Sequence, residues 1–342
     1  MWFMRFRNVA IEAVSYELPT QTVRSSELES RLNGTTSRLK LPLRPIEPLT
    51  GIEERRFWAP GTLVSQVAAR VARKAINAAG IPADRVGILI NTSVSKDYLE
   101  PSMASLVHGD LGLRSECLNF DISNACLGFM NGIEVAGRMI EEGLIDYALL
   151  VDGESAGEIV ETTLKRLLSL DVTAKDFWDN FATLTLGSVA VAMVLSRADL
   201  SKTSHRVNGS VTLADTSQNR LCLGTGDWMV TQSTRLLKAG IELALKTWVL
   251  AEGKLPQWST RHISHFICHQ VGGPHLSALC QALGIDLEKC FLTFPHHGNV
   301  GPAAVPLTLA MASEAGRIQK GDHVALMGIG SGLNVTMMSV TW

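Results

Sequence analysis

Cys126 stands in Asp121-Ile-Ser-Asn-Ala-Cys-Leu-Gly-Phe, at the junction of an expected strand and an expected helix. A helix N-terminus stabilises negative charge, so this position is expected to lower the thiol's pKa toward neutrality. Such a thiolate could attack a thioester carbonyl while its own backbone N–H holds the oxyanion that forms. The competing reading is a structural one, since cysteine is also among the commonest buried small hydrophobes.

His269 closes the apolar run His265-Phe-Ile-Cys-His and opens His-Gln-Val-Gly-Gly-Pro-His. A histidine at a strand's C-terminal end could orient a thiol or donate to an oxyanion. It could equally be a satisfied strand-end side chain, and His265, deeper on the same strand, reads as structural. Asn299 lies in the glycine-rich turn His297-Gly-Asn-Val-Gly-Pro-Ala-Ala. Its amide could bond a thioester oxygen or a fixed water, or it could be a turn residue tolerating left-handed geometry. Gly328-Ile-Gly-Ser-Gly-Leu looks like a dinucleotide fingerprint, but no crossover helix fits in the ten residues after Gly332. Closely approaching backbone with an N–H near Ser331 is the better reading. One rival nucleophile is Ser155, in Gly153-Glu-Ser-Ala-Gly, a G-x-S-x-G between a strand and the helical run Ile159–Leu168. No His-Gly-Gly oxyanion segment precedes it.

These residues need a scaffold. Short β-rich apolar runs alternate with amphipathic stretches, which predicts an α/β fold with buried strands. Expected strands are Arg85–Asn91, Cys117–Ile122, Tyr147–Asp152, His265–His269 and Val324–Ile329, and the N-terminal segment reads as a further one. Expected helices are Val64–Ala79, Leu127–Glu142, Pro274–Leu283 and Pro302–Ala315, with a charged helical section from about 162 to 182. The halves repeat: residues 147 and 323 begin matching segments 176 apart, and the strand ends 91 and 269 match 178 apart. A duplicated pair of halves, 1–200 with the cysteine and 201–342 with His269 and Asn299, would set both groups of strand-end loops around one site.

Composition excludes several classes. The chain has 342 residues, 46% hydrophobic and 19% charged, with a formal charge of −2. Its lysines and arginines are scattered, so no nucleic-acid partner is expected. The apolar runs are too short for a membrane span, and the N-terminus does not read as a signal peptide, so a cytoplasmic location is expected. Six cysteines without framework spacing predict free thiols, and neither they nor the nine histidines form a metal motif.

Together, Cys126, His269 and Asn299 resemble the triad of the ketoacyl-ACP synthase III branch of the thiolase superfamily, as does Thr50-Gly-Ile-Glu-Glu-Arg-Arg its Thr-Gly-Ile…Arg segment. A closer resemblance, over essentially the whole chain, is to OleA-type enzymes of head-to-head hydrocarbon biosynthesis. It rests on Asn91-Thr-Ser-Val-Ser-Lys-Asp-Tyr-Leu-Glu-Pro-Ser, Ser123-Asn-Ala-Cys-Leu, Ile145-Asp-Tyr-Ala-Leu, Val151-Asp-Gly-Glu, His269-Gln-Val, His297-Gly-Asn-Val-Gly-Pro-Ala and Gly328-Ile-Gly-Ser-Gly-Leu-Asn.

The resemblance implies a thiolase fold of five layers, α-β-α-β-α, and a reaction in which two fatty acyl-CoA molecules are joined by a Claisen condensation without decarboxylation. It implies a catalytic set of Cys126, His269, Asn299 and Glu100, with Glu100 entering the other subunit of a homodimer as a base. Without the resemblance, Glu100 reads as an exposed loop residue held extended by Pro101. Backbone N–H groups at Cys126 and Ser331 would form the oxyanion site. No cofactor is implied beyond coenzyme A as the substrate's carrier, and other olefin-pathway enzymes are implied as partners. Two departures stand out: Gly272-Gly273 replaces a Ser-Arg pair of the OleA pattern, and Ala304 replaces a serine. Synthase III enzymes carry an asparagine shortly after His-Gln where this chain has Val271-Gly-Gly-Pro, which argues against a malonyl-ACP condenser. That decarboxylative reaction, a serine hydrolase at Ser155 and a noncatalytic acyl-binding subunit are the alternatives.

Overall fold

A computed structural model describes residues 2–342. Its strands, in chain order, are β1 (Trp2–Arg5), β2 (Val9–Glu17), β3 (Gln21–Arg24), β4 (Glu54–Phe57), β5 (Val86–Asn91), β6 (Leu118–Asp121) and β7 (Tyr147–Glu154). They continue with β8 (Val189–Arg197), β9 (His205–Ala214), β10 (Cys222–Gly224), β11 (Met229–Thr231), β12 (His265–Cys268), β13 (His323–Gly330) and β14 (Asn334–Thr341). The main sheet runs β12-β13-β14-β9-β2-β8-β7-β5-β6, with β1 beside β9. Within it the first-half path β2-β8-β7-β5 and the second-half path β9-β14-β13-β12 have the same order and the same parallel and antiparallel senses. The halves meet along the antiparallel β2–β9 pairing, where Ala10 faces Arg206 and Ile11 faces His205.

Burial explains the layering. Helices Gly128–Glu141 and Ala304–Glu314 are apolar on more than one side, and their side chains join one core with residues of both half-sheets, including Leu150 and Leu326. Helices Val64–Ala79 and Met103–Leu111 cover the outer face of the first half-sheet. Helices Ser233–Lys254 and Gly273–Leu283 cover that of the second. Layers of this kind follow from strands buried on both faces, which is why β7 and β8 read as continuous apolar runs.

The expected elements are present with small changes at their ends. The charged section from 162 to 182 is not one helix: Gly157–Leu167 and Ala174–Asn180 are separated by a turn, and a 3₁₀ segment Phe181–Thr185 follows. Thr173 caps the second of these, accepting a bond from the Asp176 N–H at 3.2 Å. Sequence reasoning did not identify β8, β9, β14 or the 22-residue helix Ser233–Lys254. No helix among the described residues is long and apolar enough to cross a membrane.

Candidate active site

The turn that presents Cys126 begins where β6 ends. Asp121 anchors it by accepting the N–H groups of Met103 (3.2 Å) and Ala104 (2.9 Å), and Ile122 N–H donates to the Asn91 carbonyl at 2.8 Å. Ala125 then adopts φ +45°, a left-handed conformation costly for a residue with a Cβ. Asn124 holds the turn, its Nδ2 donating to Asn131 Oδ1 at 2.7 Å, and Leu127 N–H donates to its carbonyl at 3.0 Å. Helix Gly128–Glu141 starts immediately afterwards. The expected close approach at the end of β13 is present: a Cβ on Gly328 would sit 2.6 Å from Leu127 Cδ1, and one on Gly330 2.9 Å from the Asn124 carbonyl oxygen. The Cys126 turn thus packs directly on the backbone that leads to Ser331.

His269 continues the β12–β13 ladder, its N–H donating to the Met327 carbonyl at 2.8 Å. Buried Gln270 fixes the segment beyond it. Its Oε1 accepts the Thr293 (2.9 Å) and Phe294 (3.2 Å) N–H groups, and its Nε2 donates to the Phe291 carbonyl at 2.7 Å. That segment leads to Asn299, whose backbone is tied on both sides: its N–H donates to the Thr185 carbonyl (2.8 Å) and its carbonyl accepts from Gly187 N–H (2.9 Å). The Asn299 Oδ1 accepts from Gly301 N–H at 3.0 Å.

Cys126, His269, Asn299 and Ser331 all border one cavity of about 2190 Å³, and Ser155 lies on its wall too. Glu100 does not; it is exposed, in the loop that follows β5. Met103, Phe129 and Met130 are fully buried away from the cavity and serve the core. His265 sits at the opposite end of β12 from His269, with its Nε2 3.3 Å from Asp322 Oδ2.

The expected low thiol pKa is corrected by the structure. The Cys126 thiol is pushed up to about 12, first by desolvation and then by the charges of Cys222, Glu154 and Asp152. It is half-buried on the cavity wall, where desolvation outweighs the helix N-terminus. His269 is driven the other way, down to about 4, again first by burial, with the nearby Asn299 side chain partly offsetting this. Neither of its ring nitrogens meets a partner in good hydrogen-bond geometry. A thiol of high pKa and an imidazole of low pKa on the wall of one cavity both rest neutral, not as thiolate and imidazolium. The imidazole is left free to accept a proton or to donate its N–H.

Sequence reasoning missed Glu154. It ends β7 on the cavity wall, buried, with its carboxyl raised by desolvation above the usual range, and neighbouring Asp152 is raised for the same reason. The alternation along β7 places both on the face that carries Leu150, so two carboxyls two residues apart at the end of a strand were the available signal. Among the described residues, no three or more His, Cys, Asp or Glu side chains form a group able to hold a metal.

Comparison with known proteins agrees with this arrangement in both halves. Residues 120–216 match the 3-oxoacyl-[acyl-carrier-protein] synthase III family and residues 254–342 its C-terminal family. The chain is 46% identical to the acyl-CoA:acyl-CoA alkyltransferase of Xanthomonas campestris, over 99% of this chain and 100% of that one. It is 38% identical to the acyl-CoA:acyl-CoA alkyltransferase of Shewanella oneidensis, over 99% and 100% respectively. Crystal structures of Xanthomonas campestris OleA superpose closely. The cerulenin-bound form gives a TM-score of 0.97 at 46% identity, covering 99% of this chain and 98% of that one. A cysteine-to-serine variant with bound lauric acid and lauroyl-CoA gives 0.96 at 45%, covering 98% and 100%. With such identity along its whole length, on a fold whose two halves meet at a cysteine-lined cavity, the chain belongs to the OleA-type acyltransferases of the thiolase superfamily.

Proposed function

We propose that the protein joins two fatty acyl-CoA molecules by a non-decarboxylative Claisen condensation, with Cys126 carrying the first acyl group. The observation that supports it most is the convergence of Cys126, His269 and Asn299 on one cavity in a chain 46% identical to an acyl-CoA:acyl-CoA alkyltransferase. Cys126 attacks the first thioester as its proton passes to neutral His269, and coenzyme A leaves with that proton. The N–H groups of Cys126 and Ser331 hold the oxyanion. A second acyl-CoA binds, its carbonyl oxygen facing His269 and Asn299, which stabilise the enolate when the α-proton is removed. The carbanion attacks the acyl-cysteine, and hydrolysis of the product thioester gives a 2-alkyl-3-oxoalkanoic acid, a precursor suited to olefin biosynthesis.

The proton step separates this reaction from a malonyl condensation, which makes its carbanion by losing CO₂. An acyl-CoA has a weakly acidic α-carbon and needs a base. Glu154, the glutamate whose charge is felt at Cys126, is committed to Val94 and Ser95 and is not free for this. Glu100 from a second copy supplies it in this reading. The edge strand β6 exposes Leu118 (54%) and Phe120 (38%), and the neighbouring loop exposes Tyr98 and Leu99, an apolar face suited to a homodimer.

The test is incubation with a fatty acyl-CoA, followed by peptide mass spectrometry and product analysis. One acyl group on Cys126 and a 2-alkyl-3-oxo acid are expected, and the Glu100→Ala variant should acylate but not condense. Acyl transfer to Ser155 would favour hydrolysis instead, and condensation only with a malonyl thioester would favour the decarboxylative reaction.

A further inference from the structure

Glu154 has a task that the condensation chemistry alone does not give it. Its Oε1 accepts the Val94 N–H at 2.6 Å, and its Oε2 accepts the Ser95 N–H at 3.1 Å and the Ser95 hydroxyl at 2.7 Å. The Ser95 hydroxyl in turn accepts the Ser155 N–H at 2.9 Å, so β7 and the 94–95 backbone are clamped together. Val94 and Ser95 begin the loop that emerges at Glu100. Two other carboxylates pin the same loop. Asp97 accepts the Val64 (2.7 Å) and Ser65 (2.9 Å) N–H groups at a helix start. Asp121 holds Lys96, its Oδ2 3.4 Å from Nζ, and receives the N–H groups of Met103 and Ala104 beyond the tip. Between these anchors only residues 98–102 are left, and Leu99 is 93% exposed.

The loop is therefore built as a rigid arm with a short protruding tip. Its innermost anchor is a buried carboxyl on the wall of its own subunit's cavity, beside the Asn299 turn: a Cβ on Gly301 would lie 3.9 Å from Glu154 Cδ. We propose that Glu154 is a positioning residue that acts in trans, holding Val94 and Ser95 so that Glu100 reaches the reacting carbon in the partner's site. This rests on the reading of Glu100 as the partner's base. A displacement of about 1 Å at a base can cost about 10²-fold in rate, so an arm of this kind needs a fixed root. Burial raises the Glu154 carboxyl above the usual range, and three donors hold both of its oxygens in place. Glutamine in its place presents an N–H₂ to one of these donor sets and loses that half of the clamp.

Mixed dimers assembled from two differently tagged chains test the direction of action. In the first, one chain carries Cys126→Ala and Glu154→Gln and the other is unchanged, so the intact cysteine depends on the altered arm. In the second, one chain carries Cys126→Ala and the other Glu154→Gln, so the intact cysteine depends on an unaltered arm. With Cys126 acylated to completion beforehand in both, the first should condense at least about 10-fold more slowly than the second. Equal loss in both, or loss confined to the second, would overturn the proposal, because a folding defect or a role in its own site would then explain it. The same pair with Glu100→Ala in place of Glu154→Gln checks the underlying reading. If that pair shows no asymmetry, or no dimer assembles, the base assignment falls; if only the Glu154 pair lacks asymmetry, the positioning role alone falls. Should Glu154→Gln fail to fold, Ser95→Ala in the same arrangements removes the hydroxyl's bonds to Glu154 and to the Ser155 N–H, leaves the two backbone bonds to Glu154, and should show a loss of the same direction. Its absence counts against the proposal.

Discussion

The resting state of Cys126 yields a quantitative expectation. A thiol held near pKa 12 is roughly 3 × 10⁻⁵ ionised at pH 7.5, against about 10⁻¹ for an ordinary cysteine. The thiolate population is therefore lower by about 3 × 10³. The more basic thiolate is intrinsically more nucleophilic, and a Brønsted slope of about 0.45 over 3.5 units returns about 40-fold. Alkylation of Cys126 by iodoacetamide should thus run on the order of 10²-fold slower than that of a model peptide thiol. Its rate should still climb tenfold per pH unit at pH 9. Peptide mass spectrometry follows this residue separately from the other five cysteines. A plateau below pH 9, or a rate matching the model thiol, would refute the reasoning, since either needs a preformed thiolate. Acyl-CoA should nonetheless acylate the residue readily, because in the proposed mechanism His269 takes the proton only as the bond to carbon forms. Slow alkylation with fast acylation is the pattern that separates a base-assisted thiol from an ion pair.

Three further outcomes follow from the same geometry. The His269→Ala variant should lose about 10²-fold or more in acylation and condensation together, measured by single-turnover CoA release, because in the proposed mechanism one imidazole serves both steps. His269 is held neutral when folded, at about 4 against 6.5 for the free ring, so its stabilising contribution is full above pH 6.5 and is lost as pH falls through 4. The stability of the wild type relative to His269→Asn should accordingly fall by up to about 3 kcal/mol between pH 7 and 4, less whatever the ring recovers from cavity water, and a pH-independent gap in unfolding midpoints would contradict this. Gly187→Ala would drive a Cβ into the His297 carbonyl oxygen and displace the backbone paired with Asn299, so a loss of several kcal/mol in thermal unfolding and a fall in kcat are expected together.

The strand–turn–helix around Cys126 was legible because its causes are local: an apolar run, a short polar turn and an amphipathic stripe that ends at Gly143. The same holds for His269 at a strand end and for the duplicated order of elements. The strand β8 and the helix Ser233–Lys254 were harder, because continuous apolarity or a weak stripe does not distinguish one element from the other without knowing what each packs against. Glu154 stayed hidden for a related reason. A glutamate after a strand is ordinarily solvated, and only the return of the Val94–Ser95 backbone gives this one three donors inside the fold.

By itself, then, the sequence determined which residues stand at strand ends, which glycines allow backbones to meet, and which side chain could act as the nucleophile. The tertiary structure decided the resting state of that thiol. Helix termini act over a turn of chain and favour a thiolate at Cys126, but desolvation and the Asp152–Glu154 carboxyls act through space from segments distant in sequence. In a buried cavity the second influence exceeds the first, so the cysteine rests as a thiol and His269 as a neutral imidazole.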